Sequence, residues 1–170
     1  MNIVYLSPHF PTNFYNFCVS LKKFGVNVLG LADEPYENLK PELKNSLAEY
    51  YKVSDIHNYD ELLRACGYFT HKYGKIDRIE SLNEYWLTTE AKLRTDFNIS
   101  GTKVNEIGTI KCKSQMKKIF EKAEVNVAKG KIIQTLRDCE KFIEEVDYPV
   151  VAKPDSGVGA ANTYKIKNDQ

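Results

Sequence analysis

Residues 2–32 read NIVYLSPHFPTNFYNFCVSLKKFGVNVLGLA, and the order of patterns within them decides the fold class. Ile3 to Leu6 and Val26 to Leu31 are short, nearly continuous apolar runs, the pattern of strands covered on both faces. Between them Phe14, Phe17, Cys18, Leu21 and Phe24 fall on one stripe of a 3.6-residue period, and Gly25 supplies a residue suited to a left-handed helix cap. The stripe predicts a helix packed on the sheet through those five side chains. A strand, a helix and a strand joined this tightly form a βαβ unit, whose two strands lie parallel and adjacent.

The alternation continues outward. Glu49 to Val53 reads as a short strand, Leu62, Leu63, Cys66, Phe69 and Tyr73 stripe a helix, Ile76 to Leu82 is a fourth strand, and residues 84–97 a further helix. The fold class is therefore α/β, with a Rossmann-like parallel sheet in which ligands gather beyond the carboxyl ends of the strands. Those ends are Ser7 to Pro11, Ala32 to Pro35, and Asn83 with Glu84. The first reads SPHFPTNF and lacks the GxGxxG glycines that bring a backbone close to a pyrophosphate, which argues against a dinucleotide there.

After Ile99-Ser100-Gly101 the pattern changes, giving a Rossmann-like domain over 1–108 and the beginning of a second, α+β domain over 109–170. In the second part, residues 103–109 and 114–123 read as short helices, the latter with an apolar stripe of Met116, Ile119, Phe120 and Ala123. Val127 to Ile133 is strand-like. Thr135 with Asp138 resembles a capping box, opening a helix striped by Leu136, Cys139, Phe142, Ile143 and Val146. Tyr148 to Lys153 and Thr163 to Lys167 are strands joined by a glycine-containing loop. The second domain reads as cut short after the last of them.

Composition limits the function. The 170 residues are 42% hydrophobic and 28% charged, the range of a chain that buries a core rather than a disordered or fibrous one. A formal net charge of +1 gives no global pull toward nucleic acid or an anionic membrane. The charge is uneven, with 11 basic and 13 acidic side chains in residues 1–100 against 13 and 10 in 101–170, a tilt that suits a polyanion in the second part and that scattered surface lysines also produce. Cys18, Cys66, Cys112 and Cys139 are far apart and read as small buried hydrophobes, so neither a zinc site nor a disulfide framework is expected. The chain opens on a strand-like run with no charged leader or long apolar stretch, which predicts a reduced, cytoplasmic protein that engages no membrane.

Lys153 is the residue with the clearest chemistry. It follows an apolar strand, shares a face with Val151 and Pro149, and precedes Asp155-Ser156-Gly157-Val158-Gly159-Ala160. A cation rising from an apolar surface needs a counter-charge, and glycines let backbone N–H groups turn toward an anion such as a phosphate. A plain hairpin with a lysine reaching to water has the same sequence. The loop is not a Walker loop, in which the lysine follows the glycines and a helix comes next. Lys113, one of five lysines between 111 and 122, opens the helix 114–123; alone it reads equally as part of a solvated face.

Taken together, Lys113-Ser-Gln-Met-Lys, the turn Glu124-Val-Asn-Val-Ala, and Tyr148-Pro-Val-Val-Ala-Lys153-Pro with Gly157 and Gly159 resemble the opening of the ATP-grasp fold. The preceding Rossmann-like domain and the Ile99-x-Gly101 step follow the same order, and the likeness is nearest to the carbamoyl-phosphate-synthase large-subunit-like group. The resemblance implies an ATP-dependent ligase that binds Mg-ATP and activates a carboxylate as an acyl phosphate for attack by an amine. It implies that Lys113 and Lys153 contact the ATP phosphates and that Ser156, Gly157, Val158, Gly159 and Ala160 fold over them. It also implies that the Mg2+ ligands and adenine contacts lie beyond residue 170, so that the 170 residues alone are inactive. Two departures stand out: Cys112 where an aspartate often precedes the first lysine, and Ala160-Ala161-Asn162 at the end of the loop.

On the other domain His9, Asn83 and Glu84 are candidates for the substrate side, while His9 also reads as structural and Glu84 as a residue favouring a helix start. Two other classes of function fit the same chain: a non-catalytic Rossmann-like module binding a small ligand, and a subunit completed by a partner chain. Open strand edges at 148–167 predict self-association, to a homodimer or beyond.

Overall fold

The computed structural model describes residues 1–158 and 161–168. It divides into two compact units, Met1–Val104 and Asn105–Gln170.

In the first unit β1 (Asn2–Leu6), β2 (Asn27–Ala32), β3 (Glu49–Lys52) and β4 (Arg78–Glu80) form one parallel sheet in the order β3-β2-β1-β4. The connecting helices are α1 (Tyr15–Lys23), α2 (Pro41–Ser46) and α3 (Tyr59–Tyr73). Val4, Leu6, Leu29, Leu31 and Ile79 point to one face, onto Leu62, Cys66 and Phe69 of α3. Tyr5 and Val28 point to the other, onto Cys18 of α1 and Leu43 of α2. Alternate residues of β1 and β2 therefore bury both ways, which is why these strands read as continuous apolar runs. Gly25 takes φ +74 beyond α1, as expected of the glycine ending that helix.

Beyond β4 a 3₁₀ turn, Glu84–Trp86, leads into α4 (Leu87–Asp96), which returns along the open edge of that strand. The Ile79 carbonyl accepts from Arg94 Nε at 3.1 Å and Nη2 at 2.5 Å, and the same guanidinium meets Glu80 at 2.9 Å and Glu90 at 2.8 Å. Ser81 Oγ donates to the other oxygen of Glu90. Glu90 is 1% exposed and Arg94 5%, so this ion pair belongs to the interior. Burial raises the Glu80 carboxyl above its ordinary range, and the Arg94 guanidinium opposes that rise. Gly101 sits against the pair at φ +126, where a Cβ would come within 3.0 Å of Arg94 Cδ; the Ile99-x-Gly101 step has a packing reason.

The second unit holds α5 (Gly108–Lys111), α6 (Lys113–Lys122), α7 (Leu136–Val146) and an antiparallel pair, β5 (Val150–Ala152) with β6 (Tyr164–Ile166). Thr135 and Asp138 form both bonds of the predicted capping box, Asp138 N–H to Thr135 Oγ1 at 3.2 Å and Thr135 N–H to Asp138 Oδ2 at 3.1 Å.

Several sequence expectations need correction. The α1 stripe does not pack as a block: Cys18 is buried, but Phe17 is 44% and Phe24 86% exposed, because the sheet covers only one flank of the stripe. β4 is three residues long, its run ending before Leu82 at φ +57. The helix expected over 84–97 begins as a 3₁₀ turn, and that over 103–109 shrinks to the single turn of α5. Val127 to Ile133 joins no sheet among the described residues, since an extended segment without a partner has no ladder to complete. Ile119 and Phe120 of the α6 stripe are exposed. Cys112 and Cys139 are half-exposed, whereas Cys18 and Cys66 are buried as expected.

Two measurements check this packing. Arg94→Ala leaves Glu90 buried without its counter-charge. Urea unfolding followed by the fluorescence of the single tryptophan, Trp86, is expected to show a loss of ~3–5 kcal/mol; an unchanged midpoint would contradict the buried pair. Burial pushes the Cys18 and Cys66 thiols up to about 12, so alkylation of the folded chain at pH 8 should label Cys112 and Cys139 and spare the other two. Equal labelling of all four in mass-spectrometric peptide mapping would contradict it.

Candidate functional site

Lys153 leaves the end of β5, and Pro154 turns the chain into the loop toward β6. Lys113 is the first residue of α6. Asp155 connects the two elements. Its carbonyl accepts from Lys113 N–H at 2.9 Å, and its carboxylate accepts from Ser114 N–H at 2.8 Å and from Ser114 Oγ at 2.8 Å. Lys113 Nζ lies 3.5 Å from the same carbonyl. These bonds cross 41 and 42 residues of sequence and anchor the roots of both predicted lysines to one acceptor residue.

Lys153 differs from its expected setting. Its neighbours Pro149 and Val151 are exposed, as it is, so the ammonium stands on an open surface rather than emerging from a covered apolar one. Among the described residues the flanking strand pairs on one side, with β6. Among the described residues no hydrogen bond or ion pair engages the Lys153 ammonium. Ser156 and Gly157 are exposed and Val158 is half-buried; Gly159 and Ala160 lie outside the described residues. A Cβ on Gly157 would meet only Pro154 Cβ, at 3.9 Å, so the space beside the loop is open. Two lysine ammonium groups and a run of loop amides are suited to charge-assisted hydrogen bonds with phosphate oxygens.

The other predicted residues belong to the first unit, at the carboxyl edge of its sheet. His9 follows β1, and Asn83 follows β4, its side chain accepting from Tyr85 N–H at 3.0 Å; Glu84 opens the 3₁₀ turn. β1 and β4 are neighbours, so the two loops leave the sheet side by side. The Nδ1 atom of His9 is buried and has no partner among the described residues. Burial lowers its pKa, with Glu34 and then Asp33, from the end of β2, pulling it back up. Sequence reading missed His57, whose Nε2 lies 3.1 Å from Tyr85 Oη and whose ring meets Trp86 edge-on with centroids 5.2 Å apart. No spacing rule points to that cluster, because His57 and Tyr85 are 28 residues apart and come from different connections.

Among the described residues no group of three or more His, Cys, Asp or Glu side chains could hold a metal ion. No helix among them is long and apolar enough to cross a membrane.

Comparison with known proteins places this geometry in context. No protein-family model matches the chain. A curated relative, alanine–anticapsin ligase of Bacillus subtilis, is 26% identical over 95 residues, which is 56% of this chain and 19% of that protein. Among solved structures, an L-amino acid ligase from Bacillus licheniformis superposes with a TM-score of 0.73 at 17% identity, covering 99% of this chain and 39% of that one. A biotin carboxylase from Campylobacter jejuni, solved as a β,γ-ATP complex, gives 0.74 at 16% identity over 99% of this chain and 38% of that one. The chain thus shares the α/β fold of the N-terminal part of ATP-grasp ligases and spans about two fifths of the length of these two solved structures.

His9 provides a check on the first unit. Because its folded pKa lies below the ordinary value of about 6.5, the imidazole is neutral at pH 7, and its contribution to stability is full above pH ~6.5 and lost as the pH falls below it. An NMR titration should place its midpoint under 6.5, and His9→Phe should flatten the acid-side loss of stability. A midpoint at or above 6.5 would contradict the buried Nδ1.

Proposed function

We propose that this chain supplies the N-terminal domain and the first nucleotide-holding elements of an ATP-dependent ligase that joins a carboxylate to an amine. One observation carries the reading: Lys113 and the Lys153 loop are fastened together through Asp155, on a fold shared with ligases. In this reading the Lys113 and Lys153 ammonium groups pair with the phosphates of ATP, and the amides of Ser156, Gly157 and Val158, with Gly159 and Ala160, close over them. Their positive charge favours the transferred phosphoryl group as negative charge spreads over its oxygens. A carboxylate oxygen attacks the γ-phosphorus, the bond to ADP breaks, and an acyl phosphate forms. The amine nitrogen then attacks the acyl carbon, inorganic phosphate leaves, and the nitrogen gives up a proton as the amide forms.

Magnesium bound with ATP would supply positive charge to neutralise the phosphates. Among the described residues no cluster of His, Cys, Asp or Glu side chains would hold it. His9, Asn83 and Glu84, with the His57–Tyr85 pair beside them in the same unit, form the candidate substrate side. The finer placement, next to the carbamoyl-phosphate-synthase large subunit, rests on the Lys113 and Lys153 motifs together. A cytoplasmic setting suits ATP and two unpaired buried cysteines.

The test uses the protein expressed from its natural reading frame. Calorimetric titration with Mg-ATP should show binding that weakens on the order of tenfold or more in Lys153→Ala, which loses a charge-assisted contact. Phosphate release should require both a carboxylate and an amine. Unchanged nucleotide binding in Lys153→Ala would contradict the assignment and favour a ligand-sensing module without ATP.

A further inference from the structure

We propose that Asp155 is a positioning residue that sets the glycine loop and α6 in register for a polyphosphate, an inference that rests on the nucleotide reading of Lys113 and Lys153. The first turn of a helix leaves N–H groups without intrahelical partners. At α6 the residue that would normally serve them is Cys112, and its side chain caps nothing. Asp155, 41 residues beyond Ser114, takes that place: its carboxylate accepts the Ser114 N–H and the Ser114 hydroxyl, both at 2.8 Å, and its carbonyl accepts the Lys113 N–H at 2.9 Å.

The position of this cap is what gives it a role beyond stability. Asp155 lies two residues after Lys153 and two before Gly157. The same bonds therefore fix the start of the loop, the backbone of Lys113, and the point from which Lys153 projects. Among the described residues, 156–158 make no hydrogen bond to another element, so Asp155 is where this limb of the loop is held. A loop anchored at its root binds with less conformational loss than one free throughout. The carboxylate would by itself repel a phosphate. Both its oxygens are engaged by Ser114, however, and the Lys113 ammonium lies 3.5 Å from the adjoining carbonyl.

Substitution separates the clamp from the charge. Asparagine keeps an oxygen for the Ser114 N–H and an amide that can donate to Ser114 Oγ, while alanine removes both bonds. In the protein from its natural reading frame, Asp155→Ala is expected to weaken Mg-ATP binding on the order of tenfold, at matched folded fraction by circular dichroism. Asp155→Asn should bind as well as wild type or better, since it keeps the clamp and drops a negative charge. Hydrogen exchange at the Ser114 amide, whose N–H the Asp155 carboxylate accepts, should speed up in Asp155→Ala only. The proposal is overturned if Asp155→Ala binds within twofold of wild type while Lys153→Ala loses binding, or if Asp155→Asn fails as badly as Asp155→Ala. Absence of nucleotide binding by the wild type would overturn the reading of the two lysines, and the positioning role with it.

Discussion

The first unit depends on β1 having a strand on each side and a covered layer on each face. Its register to β2 and β4 satisfies the backbone of Asn2–Leu6 along two parallel ladders, and alternate side chains then have no choice but apolar contact. Parallel pairing also sends every strand out of the sheet at one edge. That is why His9, Asp33, Asn83 and the loop carrying His57, far apart in sequence, leave the same end of the unit.

This constraint explains which elements were legible. Buried parallel strands are written as unbroken apolar runs, and the Thr135–Asp138 box is local, so both could be read directly. α1 was readable as a helix but not in its rotation. Hydrophobicity places Phe17 and Phe24 on the same stripe as Cys18, whereas contact with the sheet depends on which flank of that stripe the connections turn inward. Glu90 and Arg94 look in sequence like an i, i+4 pair on a solvated face. Only the return of α4 along the open edge of β4 makes them an interior pair that serves the Ile79 carbonyl.

The second unit is limited in another way. Its helices carry readable apolar stripes, yet Ile119, Phe120 and Leu136 remain exposed, because the two strands and three short helices among the described residues give little surface to cover them. α6 and the loop after β5 are joined by polar, long-range bonds. The motif residues Lys113 and Lys153 could be picked out by type and neighbourhood, but the carboxylate that fastens them could not, since an aspartate after Lys-Pro reads as an ordinary loop residue. A motif reports the groups that meet a ligand; the groups that hold those in place appear only with the fold.

The central claim is that these elements serve an ATP-dependent activation of a carboxylate. It is tested most directly by positional isotope exchange with ATP labelled by ¹⁸O in the β,γ-bridge, using the protein from its natural reading frame, a carboxylate, and no amine. Reversible acyl phosphate formation predicts carboxylate-dependent movement of the label into the non-bridging β-phosphate positions. Bridge label that never moves while ATP is bound, or products split between the α- and β-phosphates, would contradict the account.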